Sequence, residues 1–109
     1  MNQLELAKDI ISDYERHGWK LRRVLLCATT REEIKDAGKV FGDSVLIDSE
    51  CDALWFARPS HAQREAWELR LIAEQRYALF EAFEADESEE DREEVRREME
   101  NRIRDVAPK

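Results

Sequence analysis

Asp48-Ser49-Glu50-Cys51-Asp52 sets three carboxylates at alternate positions around a thiol, immediately before the apolar run Ala53-Leu54-Trp55-Phe56. Alternating acids open calcium loops, but such a loop also needs glycine at its sixth position and a bidentate glutamate at its twelfth. Counted from Asp48, those positions hold Ala53 and Pro59. The segment therefore reads as a polar connection into a buried strand. Cys51 lies between acids, which raise a thiol pKa and work against an activated thiolate.

Other constellations are no stronger. Cys27, Cys51, His17 and His61 show neither a CxxC pair nor zinc-ligand spacing, and two cysteines do not make a disulfide framework. His17 suits the last turn of a helix, where a partly positive imidazole meets the dipole, and His61 suits a turn after Arg-Pro-Ser. Gly18, Gly38 and Gly42 are the only glycines, and none opens a phosphate-binding loop. Glu68 and Glu81 are the acids that fall between hydrophobic neighbours in strand-like stretches, and they read as outward residues paired with Arg70 or Arg76. No catalytic residue, cofactor or metal is assigned.

The arginines carry one binding hypothesis. Arg22, Arg58, Arg70 and Arg76 fall on or beside expected strands, and with Trp55 and Trp67 they would form a positive, aromatic interaction face on the side of the sheet left free of helices. Charge supplies a second. The net charge is −8, and residues 84 to 100 alone hold ten acids against three arginines. Glu87, Glu90, Asp91 and Glu94 would form an acidic surface there. Such a segment is repelled by nucleic acid and by anionic lipid, so neither is an expected partner.

These residues need elements to place them. Asn2 with Glu5 makes a capping box for a helix over about 3–17, ended by Gly18. From Trp19 the period changes to that of a strand, with Trp19, Leu21, Leu25 and Cys27 on one face. Thr30 to Glu33 suggests a second capping box, opening a short helix through Ile34 and Ala37 to Gly38. Val45 to Ile47 and Leu54 to Arg58 read as strands, and Pro59 ends the second.

Residues 61 to 84 are rich in helix formers, yet their apolar side chains scatter around a helical wheel. Alternation of Trp67, Leu69 and Leu71 with Glu68 and Arg70 favours a strand, and the three aromatics in residues 77–83 favour another. Ser88 caps an acidic C-terminal helix over about 88–106, with a thin stripe of Val95, Met99, Ile103 and Val106. Glu93 with Arg97, Glu98 with Arg102 and Glu100 with Arg104 have the spacing of helical ion pairs.

With 109 residues, one domain spanning 1–109 is expected. The order α-β-α-β-β-β-β-α implies an α+β fold, a mostly antiparallel four- to five-stranded sheet with the N- and C-terminal helices packed on one face. Three modest helices on one side would leave the other aromatic face bare, which favours a homodimer or another protein partner. The acidic N-terminus lacks the basic region and apolar block of a secretory signal, so the expected location is cytoplasmic. The functional expectation is a non-enzymatic protein-interaction module. Its alternatives are an acidic inhibitor, immunity-type or DNA-mimic protein that binds a basic partner, or a small enzyme.

Overall fold

The computed structural model describes residues 2–34 and 37–107. Helix α1 (Gln3–Arg16) begins where Asn2 Oδ1 accepts the Glu5 N–H at 2.8 Å, and it buries Ala7, Ile10, Ile11 and Tyr14 along one stripe. It is followed by β1 (Lys20–Leu26), α2 (Ala28–Glu33), α3 (Ala37–Phe41), β2 (Val45–Asp48) and β3 (Ala53–Pro59). A 3-10 turn (His61–Gln63) leads to β4 (Glu65–Leu71), β5 (Ala78–Phe83) and α4 (Glu89–Val106), the last capped by Ser88 Oγ on the Asp91 N–H.

The five strands lie in the order β2-β1-β3-β4-β5. Only β1 and β2 run parallel, joined by the crossover that contains α2 and α3; every other neighbouring pair is antiparallel. The expected α+β class, the helices at both termini and the two strands within residues 62–84 are all present. Helix-forming composition loses there because alternation lets Trp67, Leu69 and Leu71 reach one apolar layer together.

One expectation is corrected. The helices do not share a face: α1, with Phe41 of α3, covers Val24, Leu26, Leu54 and Phe56, whereas α4 covers Leu25, Trp55, Trp67, Leu69 and Phe83 on the opposite side. The reason is β3, whose apolar run places Leu54 and Phe56 on one face and Trp55 on the other, so that both faces need cover. The thin stripe of α4 suffices because Arg96, fully buried, lays its guanidinium 4.0 Å from the centre of the Trp67 ring and extends the helix's contact surface. Trp55, Phe56, Trp67 and Phe83 are thus shielded within one chain, and Phe80 at the edge stays exposed. Among the described residues, neither sheet face is left bare of helices as the expectation of a dimer supposed.

Three smaller differences have local causes. A bulge at Arg22 shifts the register between Leu21 opposite Phe56 and Arg23 opposite Trp55, so Leu21 faces α1 while Leu25 faces α4, rather than sharing a side. Helix α2 starts at Ala28 with Cys27 as its cap, and Thr30 lies inside it, because Thr30 Oγ1 is engaged by Asp52. The expected helix through Ile34 and Ala37 crosses residues 35 and 36, which lie outside the described residues. Among the described residues no helix is long and apolar enough to cross a membrane.

Candidate functional site

The C-terminus of α1 builds a depression on the surface that gathers acids, bases and aromatic rings. Gly18 takes φ +85°, where a side chain would be strained, and its N–H reaches the Glu15 carbonyl while the Trp19 N–H reaches that of Tyr14. This double closure turns the chain sharply and sets Trp19 edge-on to Tyr14, ring centres 6.0 Å apart. Tyr14 in turn stacks on Phe56 of β3 at 4.1 Å, which fixes the helix end over the sheet.

Around that corner lies a groove of about 340 Å³, lined by Asp13, Tyr14, His17, Trp19, Arg58, Glu68, Arg76 and Phe80. Arg58, at the end of β3, donates from Nη1 to the His17 carbonyl at 2.9 Å and lies 4.4 Å from the centre of the Trp19 ring. One bond and one stacking contact hold a guanidinium that still has free donors. Phe80 of the edge strand β5 stands perpendicular to Trp19 and remains 56% exposed. His17 donates from Nδ1 to the Asp13 carbonyl, so its ring is engaged in closing the helix.

The groove's acids are already engaged. Tyr14 donates its hydroxyl to Glu68 Oε2, and Asp13 pairs with Arg16 at 2.8 Å. Burial first, and Glu68 second, push the Tyr14 phenol well above its ordinary range, which makes it a fixed donor rather than a base or nucleophile. Arg70, buried beside the groove on β4, donates from Nη1 to the Leu71 carbonyl. Burial lowers its pKa, and Arg76 lowers it further. Arg58, Arg70 and Arg76 have no carboxylate within ion-pair distance among the described residues. Glu68 and Asp13 act on Arg70 only from beyond ion-pair contact, and a buried or stacked cation without a direct counter-ion is unusual in a chain of net charge −8.

The six residues expected to form one interaction face are dispersed. Arg58 and Arg76 come together in the groove and Arg70 lies beside it, below the surface. Arg22 is exposed at the β1 bulge, 5.6 Å from the Trp67 ring centre and on the α4 side. Trp55 and Trp67 are core residues, with indole N–H groups donating to Glu100 and Glu65. The same alternation that made them look like strand residues puts them inside, under α4. Tyr14, Trp19 and Phe80 were missed as site residues. The signal for Trp19 was present in Gly18, since an apolar side chain after a helix-ending glycine folds back onto the last turn.

The acidic residues keep their expected place in part. Glu90, Asp91 and Glu94 are exposed on the outer side of α4, whereas Glu87 turns back so that its Oε1 accepts the Glu84 N–H at 2.8 Å. None of the three expected pairs along the helix forms among the described residues; Arg96 instead pairs with Glu89 and Glu93 within α4, and other side chains reach off the helix. Glu93 takes both Nη groups of Arg23 at 2.8 Å, Glu100 takes Trp55, and Arg104 reaches Glu50. Arg23 thereby holds the Glu93 carboxyl below its usual range.

The acid-rich turn at residues 48–52 is a structural hub. Asp52 Oδ1 accepts the Cys27 N–H at 2.8 Å, and Oδ2 accepts Thr30 Oγ1 at 2.6 Å and Gln3 Nε2 at 2.9 Å. One carboxylate joins the start of α1, the start of α2 and the start of β3. Burial, then Ser49 and Asp52 acting in opposite directions, leave the Cys51 thiol above its ordinary pKa. No family model matches the chain, and neither a curated protein nor a solved structure matches it.

Proposed function

We propose that this chain is a cytoplasmic, non-enzymatic interaction module whose groove at the end of α1 receives an acidic segment of a protein partner. The observation that carries the reading is the set of arginines with no carboxylate in ion-pair contact among the described residues, Arg58 and Arg76 at the surface with Arg70 beside them, next to the exposed ring of Phe80 in an otherwise acidic protein. Guanidinium groups held at a rim of aromatic rings suit a carboxylate adjoining an apolar side chain.

The test is calorimetric titration with a peptide of alternating Asp and Glu that ends in Phe. Binding should weaken as salt rises, and Arg58→Glu and Arg76→Glu should each weaken it by about tenfold or more, equivalent to roughly 1.4 kcal/mol. Equal binding by the wild type and the double variant would overturn the reading. A second reading, an acidic inhibitor of a basic partner, is favoured by one observation: Glu90, Asp91 and Glu94 are exposed and hold no ion pair among the described residues. It requires a basic bait to bind the wild type and to be lost when these three are changed to Gln.

A further inference from the structure

The two edges of the sheet are treated very differently. Strand β2 has only four residues, too short to template much pairing. Strand β5 has six, Ala78-Leu79-Phe80-Glu81-Ala82-Phe83, with no proline, lysine or bulge to blunt it. The Leu71 N–H bonds the Tyr77 carbonyl, so in the β4–β5 ladder Tyr77, Leu79, Glu81 and Phe83 turn their backbone groups inward. Ala78, Phe80 and Ala82 therefore turn theirs outward, and these find no partner among the described residues. Beyond Ala82 the edge is closed, since the Glu84 N–H goes to Glu87 and the Glu84 carbonyl takes Arg92.

We infer that the β5 edge is a self-pairing surface, on which a second copy of this chain adds its own β5 antiparallel about a twofold axis at Phe80. The register follows from elimination. Outward groups must face outward groups, which allows an axis at Leu79, Phe80 or Glu81. An axis at Glu81 sets two carboxylates directly opposite each other, and one at Leu79 leaves Ala82 facing Arg76 beyond the end of the strand.

An axis at Phe80 pairs Ala78 with Ala82 of the second copy, each pair exchanging both its bonds. It sets the exposed Phe80 rings side by side with alanines on either flank, and it brings Arg76, which holds no carboxylate among the described residues, opposite Glu84 of the second copy, whose carboxylate it would share with that copy's Arg64. The interface is self-complementary in shape and charge, as a twofold contact must be. The result is one continuous sheet of two copies with both grooves on the same side. The inference rests on the strand edge and not on the groove's ligand, although Phe80 and Arg76 belong to both surfaces, so that dimerisation and peptide binding would compete.

Sedimentation velocity on the full chain tests it, from about 10 μM to about 1 mM, the range in which a small interface of this kind associates. The wild type should pass from monomer to dimer as concentration rises. Ala82→Pro removes an outward N–H while leaving the β4 ladder intact, and Phe80→Glu sets like charges on the axis; each should weaken the dimer at least about thirtyfold. Val45→Glu, on the opposite edge, should leave it unchanged. Circular dichroism confirms that each variant is folded. A wild type that stays monomeric throughout, a dimer indifferent to both β5 variants, or one lost with Val45→Glu overturns the inference. Peptide binding by the Ala82→Pro monomer reads the groove separately.

Discussion

Asp52→Ala should be among the most damaging single changes to a polar side chain in this protein, although the residue sits in a connection rather than in a helix or strand. Its carboxylate accepts three donors from two distant parts of the chain, Gln3 Nε2–H at the start of α1 and both Cys27 N–H and Thr30 Oγ1–H at the start of α2. Thr30 is 4% exposed, so its hydroxyl cannot simply turn to water. A hydrogen bond to a charged group contributes roughly 1.5–3 kcal/mol, and a buried donor left alone costs about as much. Relief of the carboxylate's own burial offsets part of this, and the half-buried Gln3 adds little. The net loss is about 3 kcal/mol, or a fall in Tm of roughly 12 °C for a chain of this size.

Asp52→Asn keeps one oxygen acceptor and should lose only about half as much. Asp48→Ala, four residues earlier, removes an acid whose side chain is 86% exposed and whose ion pair with Arg31 faces solvent, and it should cost less than about 0.5 kcal/mol. Urea unfolding followed by tryptophan fluorescence measures all three, since Trp55 is wholly buried in the native state. If Asp52→Ala and Asp48→Ala fall within about 1 kcal/mol of each other, the hub is not a hub.

The docking of α4 makes two further expectations. Glu93 has a folded pKa below its unfolded value, so its contribution is present above roughly pH 4.5 and is lost as the pH falls through the lower folded value. Glu93→Gln should therefore flatten the acid limb of the stability curve, at a cost at neutral pH on the order of 1 kcal/mol, kept small because a third of its side chain meets water. Arg96→Met should stay within about 1 kcal/mol of wild type, because a flexible apolar chain can still cover Trp67 and Phe83 and the change removes a buried Nε that has no partner. Arg96→Ala should cost roughly 2–4 kcal/mol through lost packing alone. Thermal unfolding of the pair separates packing from charge.

Periodicity made the strands legible, even where composition favoured a helix, because a side-chain period of two depends on which residues can share a face and not on intrinsic propensity. It could not decide which helix covers which face. That choice turned on the bulge at Arg22, a one-residue insertion with no compositional mark, and on Arg96, whose guanidinium counts as polar in any pattern yet packs as a flat apolar plate. The groove was half legible for a similar reason. Arg58 and Arg76 were visible as charges beside strands, but their meeting depends on the closure of α1 at Gly18 and on the pairing of β4 with β5, both long-range outcomes. Trp55 and Trp67 looked available only while one face of the sheet was thought to be bare.

Of the three indoles, Trp19 alone lines the groove, while Trp55 and Trp67 are sealed beneath α4. Nitrogen–proton correlation spectra of the labelled full chain, titrated with the acidic peptide ending in Phe, give one indole signal for each. The expected result is a progressive shift of the Trp19 signal, with backbone shifts at Arg58 and Phe80, while the other two indoles stay in place. Shifts gathered instead on Glu90 to Glu94 of α4, with the Trp19 signal unmoved at saturation, would contradict the assignment of the groove as the binding site.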